Sequence, residues 1–329
     1  MRVSTIGVLA FALAGLAACG GGAASPSPSA QGAAPVVKQY ALSAAQGGPD
    51  SIAVGADGAL WFAAFDGNAI GRITTTGTLT TFVLPTPSAG PGSIAAGPDG
   101  ALWFTELDTG RIGRITTAGA ISEYPLADPS SQPLAIVAGP DGALWFTEQS
   151  TESIGRITTG GTITEFALSD KNANPGAIAV GPDNALWFCQ QGDGKIGRIT
   201  TAGVISAYVT PTASSVPSSI AAGRDGALWF TEYYGGKIGR ITTGGAISEY
   251  PLPGAYSGPS GITVGPDGAM WFLEEHQIGR ITAGLLAEYP VSQVSTGSFN
   301  GIVTGPDGAL WYTDRFANSI GRVAPGAVR

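Results

Sequence analysis

The chain has 329 residues, of which only 12% are charged, and it contains 51 glycines and 23 prolines. This length can bury a large core, and the abundance of turn residues favours many short strands over exposed helices. A formal net charge of −8 supplies no basic surface for nucleic acid phosphates or anionic lipid headgroups, so neither is expected to bind the folded body.

The first 35 residues differ in character from the rest of the chain. An apolar run from Ile6 to Ala18 is too short to cross a bilayer, so residues 1–18 are predicted to be a signal peptide. The residues before Cys19 look like a bacterial lipobox, which predicts lipidation of Cys19 and an exported, membrane-anchored lipoprotein on the periplasmic or cell-surface side. The alternative is an ordinary signal peptide that contains a cysteine. Residues 19–35, rich in Gly, Ser and Pro, are predicted to form a flexible tether.

All seven tryptophans occupy one repeated motif, with five spacings of 42 residues and a last one of 40. A period of this length containing several strand-like runs is typical of propeller blades. In the unit around Trp103 the predicted strands are Ser93–Gly97, Ala101–Glu106, Ile112–Thr116 and Ala120–Leu126. The tryptophans are Trp61, Trp103, Trp145, Trp187, Trp229, Trp271 and Trp311.

Two kinds of tight turn recur in every unit, represented by Pro98-Asp99-Gly100 and Thr117-Ala118-Gly119. In the fourth unit Asn184 replaces the glycine of the first turn, and Asn tolerates the same left-handed backbone conformation. Alternate turns of a four-stranded meander lie at the same end of the sheet. Both tight turns should therefore lie on one face of the ring, which we call the tight-turn face. The longer connections should lie on the opposite, variable face, where function is expected.

The ends of the chain predict how the ring closes. The seventh unit ends at Arg329, before a complete fourth strand, and Val36–Leu42 has the pattern of Ile121–Leu126. The N-terminal strand should therefore complete the last blade and remove the free edges of the ring. The sequence predicts an all-β fold, a seven-bladed β-propeller over residues 36–329.

Three further residues recur in each blade. A glycine in each Ile-Gly-Arg run, such as Gly113, is predicted to lie where the neighbouring blade approaches closely. One Arg and one turn Asp per blade predict a repeated structural ion pair, with a charged binding surface as the alternative. The arginines are Arg72, Arg114, Arg156, Arg198, Arg240, Arg280 and Arg322, and the aspartates are Asp57, Asp99, Asp141, Asp183, Asp225, Asp267 and Asp307.

The motif Gly-Pro-Asp-Gly-Ala-Leu-Trp-Phe-Thr-Glu, followed by Ile-Gly-Arg-Ile-Thr and Glu-Tyr-Pro-Leu-Pro, resembles the virginiamycin B lyase (streptogramin lyase) family over essentially residues 36–329. The resemblance implies a seven-bladed propeller and, for the namesake, a magnesium-dependent elimination that opens a cyclic depsipeptide. It also implies a catalytic histidine in a Pro-His-x-Ile step at the start of a blade's first strand. No histidine occupies the matching positions, which are Asp50, Gly92, Leu134, Gly176, Ser218, Ser260 and Asn300.

Two candidate catalytic residues lie in an unusually short connection of the sixth unit. Glu275 loosely matches a glutamate that the family places after a Trp-Phe pair, and His276 is the single histidine of the chain. Glu232 and Glu274 belong to an acidic series three residues beyond Trp and are a hypothetical metal site, with a structural role as the alternative. Magnesium is implied by the resemblance alone.

Aromatic and polar side chains on the variable face predict a ligand pocket over the fifth to seventh blades. Its candidate residues are Tyr233, Tyr234, Tyr256, Asn300, Arg315 and Phe316. The predicted function is a lipid-anchored, monomeric propeller that binds a small molecule, a peptide or an envelope component on this face. The alternative is a lyase-like enzyme that eliminates across a C–O bond of a lactone or depsipeptide in a rearranged active site.

Overall fold

A computed structural model describes residues 37–254, 257–291 and 301–324. Cys19, Tyr256 and Asn300 lie outside these residues, as do the predicted signal peptide and tether, so those predictions stay untested. No helix within the described residues is long and apolar enough to span a membrane.

The described residues form seven antiparallel sheets of four strands each, which are the seven blades. A single 3-10 helix, Ala44–Gln46, precedes blade 1. Blade 1 consists of β2 Pro49–Val54, β3 Leu60–Ala64, β4 Ala69–Ile73 and β5 Leu79–Val83, and blade 2 of β6 Pro91–Ala96, β7 Leu102–Glu106, β8 Arg111–Ile115 and β9 Ile121–Pro125. Blade 3 consists of β10 Pro133–Ala138, β11 Ala143–Glu148, β12 Ser153–Thr158 and β13 Ile163–Ala167, blade 4 of β14 Pro175–Val180, β15 Leu186–Gln190, β16 Lys195–Ile199 and β17 Ile205–Val209, and blade 5 of β18 Pro217–Ala222, β19 Ala227–Glu232, β20 Lys237–Thr242 and β21 Ile247–Pro251. Blade 6 consists of β22 Ile262–Val264, β23 Met270–Glu274, β24 Gln277–Thr282 and β25 Leu285–Pro290, and blade 7 of β26 Ile302–Thr304, β27 Leu310–Asp314, β28 Ser319–Val323 and the N-terminal strand β1 Val37–Ala41.

The N-terminal strand closes the ring as predicted. Strand β1 pairs antiparallel with β28, from Val37 opposite Val323 to Ala41 opposite Ser319, so the last sheet has the order β1-β28-β27-β26. The N-terminal strand β1 and the C-terminal strand β28 are therefore neighbours in one sheet. This pairing covers an edge that would otherwise expose unpaired backbone groups.

Each blade buries one face against the next blade. Trp61 of blade 1, for example, shares an apolar cluster with Leu102 and Phe104 of blade 2. The middle strands are buried on both faces, which is why their sequence is continuously apolar rather than alternating.

The glycine of the Ile-Gly-Arg run was predicted to lie against the neighbouring blade, and that part of the prediction was wrong. A Cβ atom on Gly113 would lie 2.0 Å from the ring of Phe104, so the close approach comes from the paired strand of the same sheet.

The predicted Asp–Arg pair is present in every blade and lies at the tight-turn face. In blade 2, Arg114 Nε donates to Asp99 Oδ2 over 2.7 Å, and Trp103 Nε1 donates to Asp99 Oδ1 over 3.0 Å. Partial desolvation works to raise the pKa of Asp99, but the hydrogen bonds from Trp103 and Arg114 outweigh it and hold the pKa below its ordinary value. Tyr124 of the outer strand stacks on Trp103 with ring centroids 5.5 Å apart. The repeated charge is therefore a structural network.

Candidate functional site

The variable face holds a cavity of about 360 Å³ to which all seven blades contribute. The first strand of each blade ends at a tight turn, so its start lies at the variable face. The cavity is lined by residues at the starts of these strands and by residues four positions beyond Trp, at the ends of the second strands. Because the same positions of every blade surround it, the cavity lies on the axis of the ring. We call it the axial cavity.

The wall of the axial cavity has an apolar and a polar part. Phe65, Leu107 and Leu134 of blades 1 to 3 supply the larger apolar side chains. Hydroxyl groups come from both sides of the ring, from blades 1 and 2 as well as from blades 5 and 6, and include those of Ser93 and Ser260. Ser260 is 1% exposed, and its hydroxyl has no hydrogen-bond partner within the described residues. The site therefore suits a ligand with an apolar portion and several hydrogen-bonding groups.

Asp50 and Arg315 are the charged residues among the described lining of the axial cavity. They are 265 positions apart in the sequence and meet where blade 1 adjoins blade 7. Arg315 Nη1 donates to both carboxylate oxygens of Asp50, over 3.0 and 3.2 Å, and its Nη2 donates to Asp66 over 3.0 Å. The guanidinium carbon lies 4.6 Å from the centre of the Phe65 ring. Arg315 is thus held in place by two carboxylates and an aromatic face.

The Asp50 carboxyl titrates in an unusual range. Burial raises the pKa of Asp50 to about 7, although the charge and hydrogen bonds of Arg315 oppose the shift, and the charge of Asp66 adds to it. The side chain is only 7% exposed. A carboxyl group in this state can exchange a proton near neutral pH.

Five of the six described positions matched to the family's histidine step line this cavity, and Gly176 is the exception. Asp50, Gly92, Leu134, Ser218 and Ser260 all line it. Asn300 lies outside the described residues. The sequence therefore identified the right positions, but it did not single out Asp50, because the contact with Arg315 exists only once the ring is closed.

Of the described candidates for the ligand pocket, Arg315 lines the axial cavity. The cavity lies on the axis and takes residues from all seven blades, so a pocket confined to blades 5 to 7 stays a prediction. Tyr234 is 77% exposed, and its ring meets that of Tyr233 edge-on at 5.1 Å. Phe316 is also exposed at the surface. Whether these side chains contact a ligand stays a prediction.

Glu275 and His276 lie on the surface of the variable face. Their side chains are 62% and 64% exposed, with Glu275 Oε1 3.8 Å from His276 Nε2. His276 adopts a φ of 60°, consistent with the tight turn that the shortened connection requires. Neither residue lines the axial cavity. Their catalytic roles stay predictions.

The acidic residues three positions beyond Trp are buried between blades. Burial raises the pKa of Glu106 to about 7, with a further contribution from the charge of Glu123. The same two causes raise the pKa of Glu274 to about 8, where Glu288 is the neighbour. Glu148 and Glu232 have pKa values raised to about 7 in the same way. Burial and the neighbouring carboxylates therefore favour the protonated form of these side chains, and a metal-binding role for Glu232 and Glu274 stays a prediction.

The described residues contain no preformed cluster of ligands for a metal ion. They contain no group of three or more His, Cys, Asp or Glu side chains placed to hold a metal. Glu232 and Glu274 are at most 1% exposed and belong to different blades. We therefore derive no chemical step through a metal ion.

A second cavity, of about 390 Å³, lies between blades 3 and 4. Elsewhere a fourth-strand glutamate fills this gap: Glu249 of blade 5 accepts hydrogen bonds from Lys237 Nζ over 2.6 Å and from the Thr212 hydroxyl over 2.6 Å. In blade 4 the corresponding residue is Ala207. Lys195 instead pairs with Asp170 over 2.9 Å. The second cavity thus arises from the loss of one side chain of the repeat.

Seven closed four-stranded blades around one axis define a seven-bladed β-propeller. Comparison with known proteins places the chain more narrowly. Residues 32–140 and 128–328 match the Virginiamycin B lyase family. The chain belongs to this family.

Solved structures agree with this assignment. A streptogramin B lyase is 39% identical, with 88% of this chain and 97% of that one covered and a TM-score of 0.82. A selenomethionine-substituted virginiamycin B lyase from Staphylococcus aureus is 39% identical, with 88% and 99% covered and a TM-score of 0.83. A catalytically inactive His-to-Ala variant of the Staphylococcus aureus enzyme, solved with quinupristin, is 38% identical over the same shares of the two chains, with a TM-score of 0.83. No curated protein matches the chain.

Proposed function

We propose that this protein binds a cyclic, peptide-like small molecule in the axial cavity. The observation that supports the proposal best is the composition of that cavity, in which apolar side chains such as Phe65 and Leu107 lie among hydroxyl groups such as those of Ser93 and Ser260. A cyclic peptide or depsipeptide offers both kinds of surface, with apolar side chains outside a ring of amide and ester carbonyls. The unpartnered hydroxyl of Ser260 is a donor for such a carbonyl.

The similarity to a lyase solved with quinupristin supports the same class of ligand. That protein is 38% identical and nearly all of it aligns with this chain. Quinupristin is therefore the first probe to use here, as a representative of the class.

Binding of quinupristin to the full chain by isothermal titration calorimetry tests the proposal. Ala177 lines the axial cavity, so Ala177→Phe should fill part of it and weaken binding at least about tenfold, or about 1.4 kcal/mol. Ala118 is exposed at the tight-turn face, so Ala118→Phe is the matched control and should bind like the parent. Equal affinities for the two variants would place the ligand elsewhere.

A lyase activity is the second candidate function, and the state of Asp50 is the observation that favours it. Abstraction of a proton next to a carbonyl requires a base that is active near neutral pH, and the pKa of the buried Asp50 carboxyl lies at about 7. The substrate class is a lactone or depsipeptide, which would lose its C–O bond by elimination. Incubation of the full chain with quinupristin, followed by mass spectrometry of the products, tests this activity.

The location of the protein is part of the proposal. Lipidation of Cys19 would tether a monomeric propeller to the outer side of a membrane through residues 19–35. Cys19→Ser should then move the protein from the membrane fraction to the soluble fraction. Retention of the variant in the membrane with unchanged mass would contradict the lipid anchor.

A further inference from the structure

We infer that Asp50 is the proton acceptor of an elimination reaction in the axial cavity, and that Arg315 binds the carboxylate that leaves. This inference rests on the lyase activity proposed above and assigns it a base at the axial cavity, whose described lining contains no histidine. The geometry that supports it is a buried carboxyl at the cavity wall whose two oxygens share one guanidinium nitrogen.

The fold does not require a carboxyl at this position. The equivalent residues of blades 2, 3 and 5 are Gly92, Leu134 and Ser218, and those blades start their first strands in the same way. Arg315 is also unlike its equivalents, which include Leu107 and Gln149. Two departures from the repeat thus meet at one point of the cavity. Unlike the Asp–Arg pair of the tight-turn face, this pair is not repeated at the equivalent positions of the other described blades, and it borders the axial cavity.

Hydrogen bonds to its backbone and side chain hold the Asp50 carboxyl in a fixed position at the cavity wall. Its backbone carbonyl accepts hydrogen bonds from Gly301 N over 2.9 Å and from the Thr313 hydroxyl over 2.7 Å. Within the part of the chain that the structure describes, Nη1 of Arg315 is the hydrogen-bond donor to its side chain, and each oxygen there keeps a free lone pair. Burial leaves few alternatives for that lone pair other than a ligand in the cavity.

The chemical step balances without a further reactant. An oxygen of the Asp50 carboxylate takes the proton from the carbon next to a ligand carbonyl. The electron pair of that C–H bond forms a C=C double bond to the neighbouring carbon, and the C–O bond of the ester on that carbon breaks. The ester oxygen leaves with the electron pair as part of a carboxylate, and Asp50 later releases its proton to water.

Arg315 is suited to receive that carboxylate. Its guanidinium already faces the cavity beside Asp50, and protonation of Asp50 removes one of its two negative partners at the moment the new one forms. Proton transfer to Asp50 and stabilisation of the leaving group are therefore coupled. Asp66 and Phe65 keep the guanidinium in place throughout.

The test compares the full chain with Asp50→Asn, Asp50→Glu and the control Asp108→Asn, an exposed carboxyl on the same face. Quinupristin is the probe for both binding and turnover. Elimination opens its ring without a change of mass, whereas hydrolysis adds one water. We expect the parent and Asp108→Asn to form the isomeric linear product. Asp50→Asn should bind with an affinity within about threefold and lose at least about 100-fold in kcat.

The pH profile separates a base from a positioning group. The base must be ionised, so kcat/KM of the parent should rise with pH through about 7, and Asp50→Glu should keep some activity with a displaced midpoint. Turnover by Asp50→Asn at the parent's rate would overturn the inference. Tight binding by the parent with no turnover would also overturn it while leaving the proposed binding function intact. Absence of binding by the parent would contradict the proposed function itself.

Discussion

The two faces of the propeller are built from the same seven blades but treat the repeat differently. On the tight-turn face each blade carries the same network of Asp, Trp and Arg, with Arg Nε to Asp distances of 2.7 to 2.8 Å throughout. On the variable face the repeat is interrupted, and the largest interruption brings Asp50 to Arg315 at the axial cavity. The Asp, Trp and Arg side chains that recur in every blade are explained by their role in stabilising the fold. The Asp50–Arg315 pair has no counterpart at the equivalent described positions of the other blades, and its place at the wall of the axial cavity is why we propose a functional role for it.

The largest expected effect concerns the closure on which both faces depend. Deletion of residues 37–41 removes β1, exposes the edge of β28 and opens the ring. We expect the deleted protein to lose its single cooperative thermal transition or to melt far below the parent. Deletion of residues 31–35, in the predicted tether, is the control and should have little effect. A melting temperature within a degree or two of the parent for the first deletion would contradict the closure.

A smaller effect is expected from one copy of the tight-turn network. Asp99→Ala removes the acceptor of both Trp103 and Arg114, and it leaves the buried indole N–H without a partner. The free energy of unfolding should fall by about 1–3 kcal/mol, measured by urea denaturation. Quinupristin affinity should not change, because the network lies on the opposite face. A loss of binding with unchanged stability would contradict the division between the faces.

The difference between the two faces also explains which parts of the fold and the site could be predicted from the sequence. The period, the turns and the count of fourth strands predicted seven blades and the closing strand, because each is a local pattern that repeats. The axial cavity was missed because glycine, alanine and serine at the starts of the first strands, such as Gly92 and Ala177, give no signal until the ring brings them together. Asp50 and Arg315 are 265 positions apart in the sequence, so their contact could not be predicted without the closed ring.

A further expected effect is a dependence of stability on pH that comes from the buried glutamates three positions beyond Trp. The pKa of Glu106 rises from its ordinary 4.5 to about 7 on folding, so the folded protein binds more protons than the unfolded chain between these values. Its contribution to stability is therefore full below about pH 4.5 and is lost as the pH rises through 7. Glu148, Glu232 and Glu274 act in the same direction.

Urea unfolding at pH 5 and pH 8 measures this dependence, and the protein should be more stable at pH 5. Glu106→Gln keeps the shape of the protonated side chain and should make the difference between the two pH values smaller. Glu275→Gln, at an exposed glutamate, is the matched control and should leave the difference as it is. Equal stability of the parent at both pH values would show that these carboxyls are ionised in the folded protein.

The central claim is that the interrupted repeat at the axis is the functional site, and a crystal structure of the full chain soaked with quinupristin tests it most directly. We predict electron density for the ligand in the axial cavity, with apolar groups against Phe65 and Leu107 and carbonyl groups towards Ser260 and Arg315. Density confined to the gap between blades 3 and 4, or to the tight-turn face, would contradict the claim.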